Sequence, residues 1–520
     1  MILKAYSLEK QRICLALLSG LLLTGSFPNA DAHWLAWFAL VPLLMSLQNL
    51  SSLAACFRIG FIAGLAHYLT LTYWLAYTMK TYGHLPLYLC VPVLFLLSAY
   101  LALYFGIFAA GLIRICKRPL SGMVMIPVMW VALEYVRSFF LSGFPWGLTG
   151  YSQFERLHLI QISDMFGVYG VSFLLALSNG VIFFAWLHWS GRDWGEHPVS
   201  GRLARGAVLA LFMILAGTWL YGKWQMDSMD ARAAVSPSAK VAIVQGNIDQ
   251  AKKWKRAFRR ATTRKYVSLS LQAKAQKPDL VVWPETATPF YFLHNIRMTE
   301  MVLSGVRNTG AYFLIGSPSF VWENEQRIYH NSAYLVRPGG LVSDKYDKVH
   351  LVPFGEYIPF KKWLPFLGKM VEHVGDFRPG KAGNTLKMEN NSLGMLICYE
   401  IIFPSLSRAM TRNGAGLLVN ITNDAWYGRT SAPWQHFSMS VFRAVENKRS
   451  LVRSANTGIS GFIDPVGRIM ESTQLYEDAV LTRAMPIVRE TTLYTQYGDW
   501  FAMLCLLIVL AALLKRIITR

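Results

Sequence analysis

Leu393-Gly-Met-Leu-Ile-Cys-Tyr-Glu400 decides how this chain is read. An uncharged run of strand length ends at Cys398, and a carboxylate follows two positions later. A run that is apolar throughout, without polar alternation, reads as a strand in a sheet covered by helices on at least one face. A side chain just past such a strand is held by the sheet with its tip free. Outward from this stretch the pattern repeats. Leu280-Val-Val-Trp283 is stopped by Pro284 and followed by Glu285. Lys240-Val-Ala-Ile-Val-Gln245, Phe313-Leu-Ile-Gly316, Ser332-Ala-Tyr-Leu-Val336 and Gly416-Leu-Leu-Val-Asn420 continue it, and residues 459–469 supply a late hairpin around Pro465-Val-Gly467. Helix-period stretches such as Lys252 to Lys274 separate the strands. The expectation is one large α/β layered domain over residues 225–497, its sheets covered by helices.

The flanks are a different material. Of the 520 residues, 53% are hydrophobic and 16% charged, against roughly 25% charged in ordinary soluble chains. Most of the charge lies in 225–497. Because a membrane span takes ~20 mostly apolar residues, spans are expected near 11–28, 33–50, 54–78, 85–113, 119–141, 165–189, 204–224 and 499–514. Residues 1–224 then form a membrane domain of seven transmembrane helices, and 498–520 an eighth helix with a short tail. The first two spans are short and joined at Phe27-Pro28-Asn29 as a tight hairpin. A cleaved signal peptide is set aside, because no small-residue cleavage site precedes another soluble stretch. Short-loop cations alternate in sidedness: Lys4, Lys10, Arg12, Arg58, Arg114, Lys117, Arg118, Arg192, Arg202, Arg205, Lys515, Arg516 and Arg520 share one side, and chiefly Lys80, Arg137 and Arg156 the other. The positive-inside rule puts both termini in the cytoplasm and 225–497 outside.

Cysteine usage sharpens the reading. Cys14, Cys56, Cys90, Cys116 and Cys505 lie in or beside spans, where a thiol acts as a small hydrophobe. Cys398 stands alone in the external domain, which therefore has no internal disulfide. From the residues alone it is either a reactive nucleophile or a buried inert thiol. Lys348, in Asp344-Lys-Tyr-Asp-Lys-Val-His-Leu-Val-Pro-Phe-Gly-Glu-Tyr357, is similarly either functional or a surface ion-pair partner.

Taken together, Trp283-Pro-Glu285, Lys348 with Pro353-Phe-Gly-Glu356, and Ile397-Cys-Tyr-Glu400 resemble the Glu-Lys-Cys motifs of the nitrilase superfamily. Phe144-Pro-Trp-Gly147, Gly150-Tyr-Ser152, Gly167-Val-Tyr-Gly-Val-Ser-Phe173, Asn423-Asp-Ala-Trp-Tyr-Gly428, Pro433-Trp-Gln-His436 and Arg453-Ser-Ala-Asn-Thr-Gly458 extend the likeness over nearly the full length. The chain is similar to that superfamily's membrane-embedded branch, the apolipoprotein N-acyltransferases. The resemblance implies a nitrilase-like αββα sandwich carried on a multi-span α-helical membrane domain. It places the protein in a bacterial inner membrane with the sandwich in the periplasm. It implies acyl transfer from a phospholipid to the α-amine of a diacylglyceryl apolipoprotein, through a thioester on Cys398. Glu285 is the implied proton acceptor and Lys348 the oxyanion stabiliser. Glu356, Asn331, Tyr399 and Glu400 surround them, and Trp426, Tyr427, Trp434 and Phe290 are candidates for the substrate pocket.

Three rivals stay open: a membrane-tethered amidase using water as acceptor, a transporter or scaffold with a degenerate sandwich, and a hydrolase pairing Cys398 with His436. No cofactor is expected. His330, His350, His373 and His436 lack metal-ligand spacing, and no Gly-rich phosphate loop is present. The basic run from Lys252 to Arg260 is read as a solvated helix face or a surface for anionic lipid headgroups, not for nucleic acid. Residues 359–367, which mix aromatic and basic side chains as interfacial segments do, are expected with 288–293 to form a lid at the bilayer surface.

Overall fold

The computed structural model describes residues 2–358 and 376–518, so the expected lid segment 359–367 and His373 lie outside the described residues. The chain forms two compact units, Met1–Met226 with Tyr497–Arg520, and Asp227–Gln496.

The first unit is helical: α1 (Ile2–Gly25), α2 (Leu53–Leu71), α3 (Leu87–Ile115), α4 (Pro119–Arg137), α5 (Val168–Trp189), α6 (Gly201–Val235), and a C-terminal helix, Trp500–Ile518. Among the described residues six helices, α2 to α6 and the C-terminal one, are long and apolar enough to cross a membrane. The span expected near 33–50 is broken into a turn, His33–Trp37, and a seven-residue helix, Val41–Leu47. Pro42 explains the break: without an N–H it starts a helix more readily than it continues one. The span expected at 54–78 similarly ends at Leu71, before a separate helix Trp74–Thr81. Helix packing relies on small residues. A Cβ at Gly60 would meet the Phe105 carbonyl at 2.4 Å, and one at Gly64 the Ala102 Cα at 2.9 Å. Such approaches hold apolar helices together where no hydrophobic effect drives them. Outward faces carry Leu209, Phe212, Leu220, Leu507 and Leu514, side chains suited to lipid.

The second unit holds two six-stranded sheets. In chain order the strands are β1 (Ser238–Gln245), β2 (Leu280–Val282), β3 (Tyr312–Glu323), β4 (Gln326–Val336), β5 (Val342–Asp347), β6 (Thr385–Met388), β7 (Asn391–Ile397), β8 (Leu417–Thr422), β9 (Ser450–Ala455), β10 (Gly461–Ile463), β11 (Ile469–Ser472) and β12 (Ala479–Pro486). One sheet runs β12-β1-β2-β3-β4-β5 and the other β11-β10-β9-β8-β7-β6. The central trios β1-β2-β3 and β7-β8-β9 are parallel, and the outer pairings antiparallel.

Alternation at period two gives the central strands of the first sheet two buried faces. Ala242, Val244, Val281, Trp283, Phe313 and Ile315 share a core with Tyr266 of α7 (Arg256–Ala273) and with Val302 and Val306 of α8 (Ile296–Thr309). The intervening Val241, Ile243, Leu280, Val282 and Leu314 are fully buried on the other face. There the second sheet meets the first, with the Ser454 hydroxyl reaching the Val244 and Val282 carbonyls at 3.3 and 3.2 Å. Helices α9 (Pro404–Arg412) and α10 (Ala432–Asn447) cover the second sheet. The result is an αββα sandwich. Its parallel strands β2, β7 and β8 end just before Glu285, Cys398 and Asn423, which is where sheet proteins bind ligands.

Candidate active site

Cys398 follows β7 at the head of a tight turn, Cys398–Ile402, with φ at +52°. An L-residue held there costs of order 1–3 kcal/mol and stays only where its surroundings fix it. Glu400 is one such constraint. Its carboxylate accepts the Ile397 N–H at 2.6 Å, the Val349 and His350 N–H groups at 2.6 and 3.0 Å, and the Tyr346 hydroxyl at 3.0 Å. It therefore pins the cysteine turn to the segment carrying Lys348. Burial, opposed by those N–H donors, pushes the Glu400 carboxyl up to about 7.

Lys348 leaves the end of β5 and is buried. Its ammonium lies 2.9 Å from Glu356 Oε2, 3.0 Å from Glu356 Oε1 and 3.6 Å from Glu285 Oε1. Burial alone lowers its pKa, but the charges of Glu356 and Glu285 outweigh that and hold it above the ordinary lysine value. Both Glu285 oxygens are oriented: Oε1 accepts Asn331 Nδ2 at 2.7 Å, and Oε2 accepts the Asn423 N–H at 2.9 Å. Asn331 Nδ2 also donates to Glu356 Oε1 at 2.8 Å, while its Oδ1 is buried and has no hydrogen-bond donor among the described residues. Lys253, which sequence reasoning passed over as part of a basic run, is buried beneath Glu285. It donates to the Glu285 carbonyl at 3.3 Å and to Thr286 Oγ1 at 2.7 Å, and burial draws its pKa down to about 8. The backbone here is packed without slack. A Cβ at Gly316 would sit 2.2 Å from the Pro284 carbonyl and 2.8 Å from the Glu285 Cα.

The Cys398 thiol is raised well above the ordinary cysteine value, first by burial and then by the Glu285 charge, against the lowering pull of Lys348. It rests as a neutral thiol beside a carboxylate and a permanent cation. That set can deprotonate a nucleophile as it attacks and then hold an oxyanion.

The remaining expected residues divide. Tyr399 is buried and packs on Phe403. Tyr427 is buried, and burial raises its hydroxyl pKa. Trp434 is half-buried and Trp426 38% exposed. Phe290 belongs to the apolar core shared by the first sheet and its helices, a packing position. His436 Nε2 faces the Cys398 carbonyl at 3.2 Å and its Nδ1 faces Asp424 at 3.0 Å. This places the ring behind the backbone, not as base to the thiol. Among the described residues no group of three or more His, Cys, Asp or Glu is placed to hold a metal ion.

Residues 240–492 match the carbon-nitrogen hydrolase family model. With the αββα sandwich, this makes the second unit a nitrilase-type enzyme domain. Residues 19–181 match the model of the apolipoprotein N-acyltransferase N-terminal domain. The chain is 44% identical to an apolipoprotein N-acyltransferase of Geobacter metallireducens over 96% of this chain and 94% of that one. It is 31% identical to one of Chlorobaculum tepidum over 96% and 97%. Among solved structures it is similar to an amidase from Nesterenkonia sp., at 20% identity and a TM-score of 0.38, over 51% of this chain and 96% of that one. The chain belongs to the apolipoprotein N-acyltransferase family, as a membrane-embedded acyltransferase of the carbon-nitrogen hydrolase superfamily.

Proposed function

We propose that this enzyme moves a fatty acyl chain from a phospholipid to the α-amine of the diacylglyceryl-cysteine of apolipoproteins, with Cys398 holding the chain as a thioester between the two. Cys398 Sγ attacks the ester carbonyl while Glu285 takes its proton. Lys348 and the Tyr399 N–H stabilise the oxyanion. Collapse breaks the C–O bond, and the departing lysophospholipid oxygen takes the proton from Glu285. In the second half the acceptor amine loses a proton to Glu285 and attacks the thioester. An amide forms and the Cys398 thiol is restored, so the kinetics are ping-pong.

The observation carrying this reading is the Lys348 ammonium buried between Glu285 and Glu356, beside the lone cysteine of the α/β unit. Asn331 Oδ1 supports an amine acceptor, because a buried oxygen lacking a donor offers a hydrogen bond to an incoming N–H. A water-using amidase would need only one anchor, and a lipid substrate gives the other spans a purpose. We place the enzyme in a bacterial inner membrane, eight passes with both termini cytoplasmic and the sandwich periplasmic, on the loop charge pattern.

The test supplies purified enzyme with phospholipid and a diacylated lipopeptide, with Cys398→Ala as control. A triacylated amide from the wild type alone supports the reading. Free fatty acid as the sole product favours the hydrolase.

A further inference from the structure

Behind the cysteine turn lies a charged network to which the acyl-transfer chemistry gives no part. His436 of α10 is fully buried, with Nε2 3.2 Å from the Cys398 carbonyl. A carbonyl can only accept, so this contact assigns the proton to Nε2. On the other side of the ring, Asp424 Oδ1 lies 3.0 Å from Nδ1. Arg453 donates to Asp424 Oδ2 at 2.8 Å and to Nδ1 at 3.0 Å. Thr422 Oγ1 donates to Asp424 Oδ1 at 2.9 Å, and Arg453 is anchored further by the Asn420 side chain and the Ile459 carbonyl. Asp424 and Arg453 are both essentially inaccessible to solvent. Burying two ions carries a desolvation cost that their attraction must first offset, so an ion pair in a core is weak evidence of stability gained.

We propose that His436 is a positioning residue for the oxyanion pocket, its Nε2–H fixing the Cys398–Tyr399 peptide so that the Tyr399 N–H faces the reacting acyl carbonyl. The argument is geometric and rests on the acyl-enzyme reading above. A trans peptide is planar, so its C=O and N–H point in opposite directions. Holding the Cys398 carbonyl from behind therefore aims the Tyr399 N–H forward. Tyr399 N–H is among the first donors of the turn Cys398–Ile402, which offers it no acceptor of its own. The left-handed φ of Cys398 supplies the reason for a clamp: unrestrained, that residue relaxes and the peptide plane turns with it. Arg453, itself held by Asp424, donates to Nδ1 and keeps the ring from rotating away.

The test exploits side-chain geometry. A glutamine amide nitrogen overlays histidine Nε2, and an asparagine amide nitrogen overlays Nδ1. In full-length enzyme, His436→Gln should keep acyl-enzyme formation from phospholipid within a few-fold of wild type. His436→Asn should slow it ~10²-fold, the cost of one lost oxyanion donor, with KM for phospholipid unchanged. Alkylation of Cys398 by iodoacetamide, which builds no oxyanion, should stay within about twofold in both. Should His436→Asn fail to fold, His436→Ala, which has no donor for the Cys398 carbonyl, must show the same split between slowed acylation and normal alkylation. The proposal is overturned if the Gln and Asn variants lose acylation equally, if alkylation falls in parallel, or if the folded variants acylate normally. Absence of acylation in the wild type as well would instead overturn the acyl-enzyme reading.

Discussion

The Cys398 thiol is pulled two ways, up by burial and Glu285 and down by Lys348. The signs give a prediction in which thiolate supply and turnover separate. Glu285→Gln removes an anion, so the thiol pKa falls and Cys398 alkylation reaches half-rate at a lower pH. Lys348→Met removes the opposing cation, and that midpoint moves up. Acyl transfer should nonetheless fall by ~10²-fold or more in Glu285→Gln, because the base is gone. A Glu285→Gln enzyme with an unshifted alkylation midpoint, or with normal transfer, contradicts these roles. Glu285, Lys348 and Cys398 were legible in sequence because each stands in or beside a short motif near a strand end. Lys253 was not, nor was the pairing of Asp424 with Arg453, although both of those residues stand in recognisable motifs. Lys253 sits in a run of cations that reads as solvated surface, and only the fold reveals that it points inward to Thr286. Arg453 follows an apolar strand segment, and its partner Asp424 lies on another strand's end. Buried ion pairs between distant segments leave no local spacing to read.

Elements set the site by where strands stop. Apolar runs ending at Pro284 and Cys398 predicted β2 and β7, since a strand without polar alternation is recognisable by itself. Register between strands was not predictable, and Gly316 depends on it. That residue looks like an ordinary strand glycine, yet β3 lies against the loop of Glu285 so closely that no Cβ fits. Gly316→Ala is therefore expected to cost about 1–3 kcal/mol, as overpacking does, and to reduce acyl transfer more than Gly→Ala at Gly339, where no atom lies within 4 Å. Thermal denaturation with parallel activity assays checks both. Glu400 acts at the same scale. Replacing it with Gln turns one acceptor oxygen into a donor facing N–H groups of Val349, His350 or Ile397. The expected loss is ~1–3 kcal/mol for an unsatisfied buried group, with transfer falling further than the melting temperature alone accounts for. Equal activity at equal stability would separate Glu400 from the site.

At the scale of the whole molecule, composition announced two materials, and the fold divides accordingly into a helical unit and an αββα unit. Hydropathy found the long helices but not the break at Pro42, because a window average is blind to one missing N–H. The loop-charge asymmetry predicts that protease added outside spheroplasts cleaves within residues 225–497 and spares the loop at Arg114–Arg118. The reverse pattern would invert the topology.

The most direct measurement is the intact mass of purified enzyme after incubation with phospholipid alone. The account predicts a gain equal to one acyl chain, labile to hydroxylamine, located on Cys398 by peptide mapping, absent in Cys398→Ala, and discharged to an amide by a diacylated lipopeptide. Triacylation proceeding at normal speed in Cys398→Ala would contradict it.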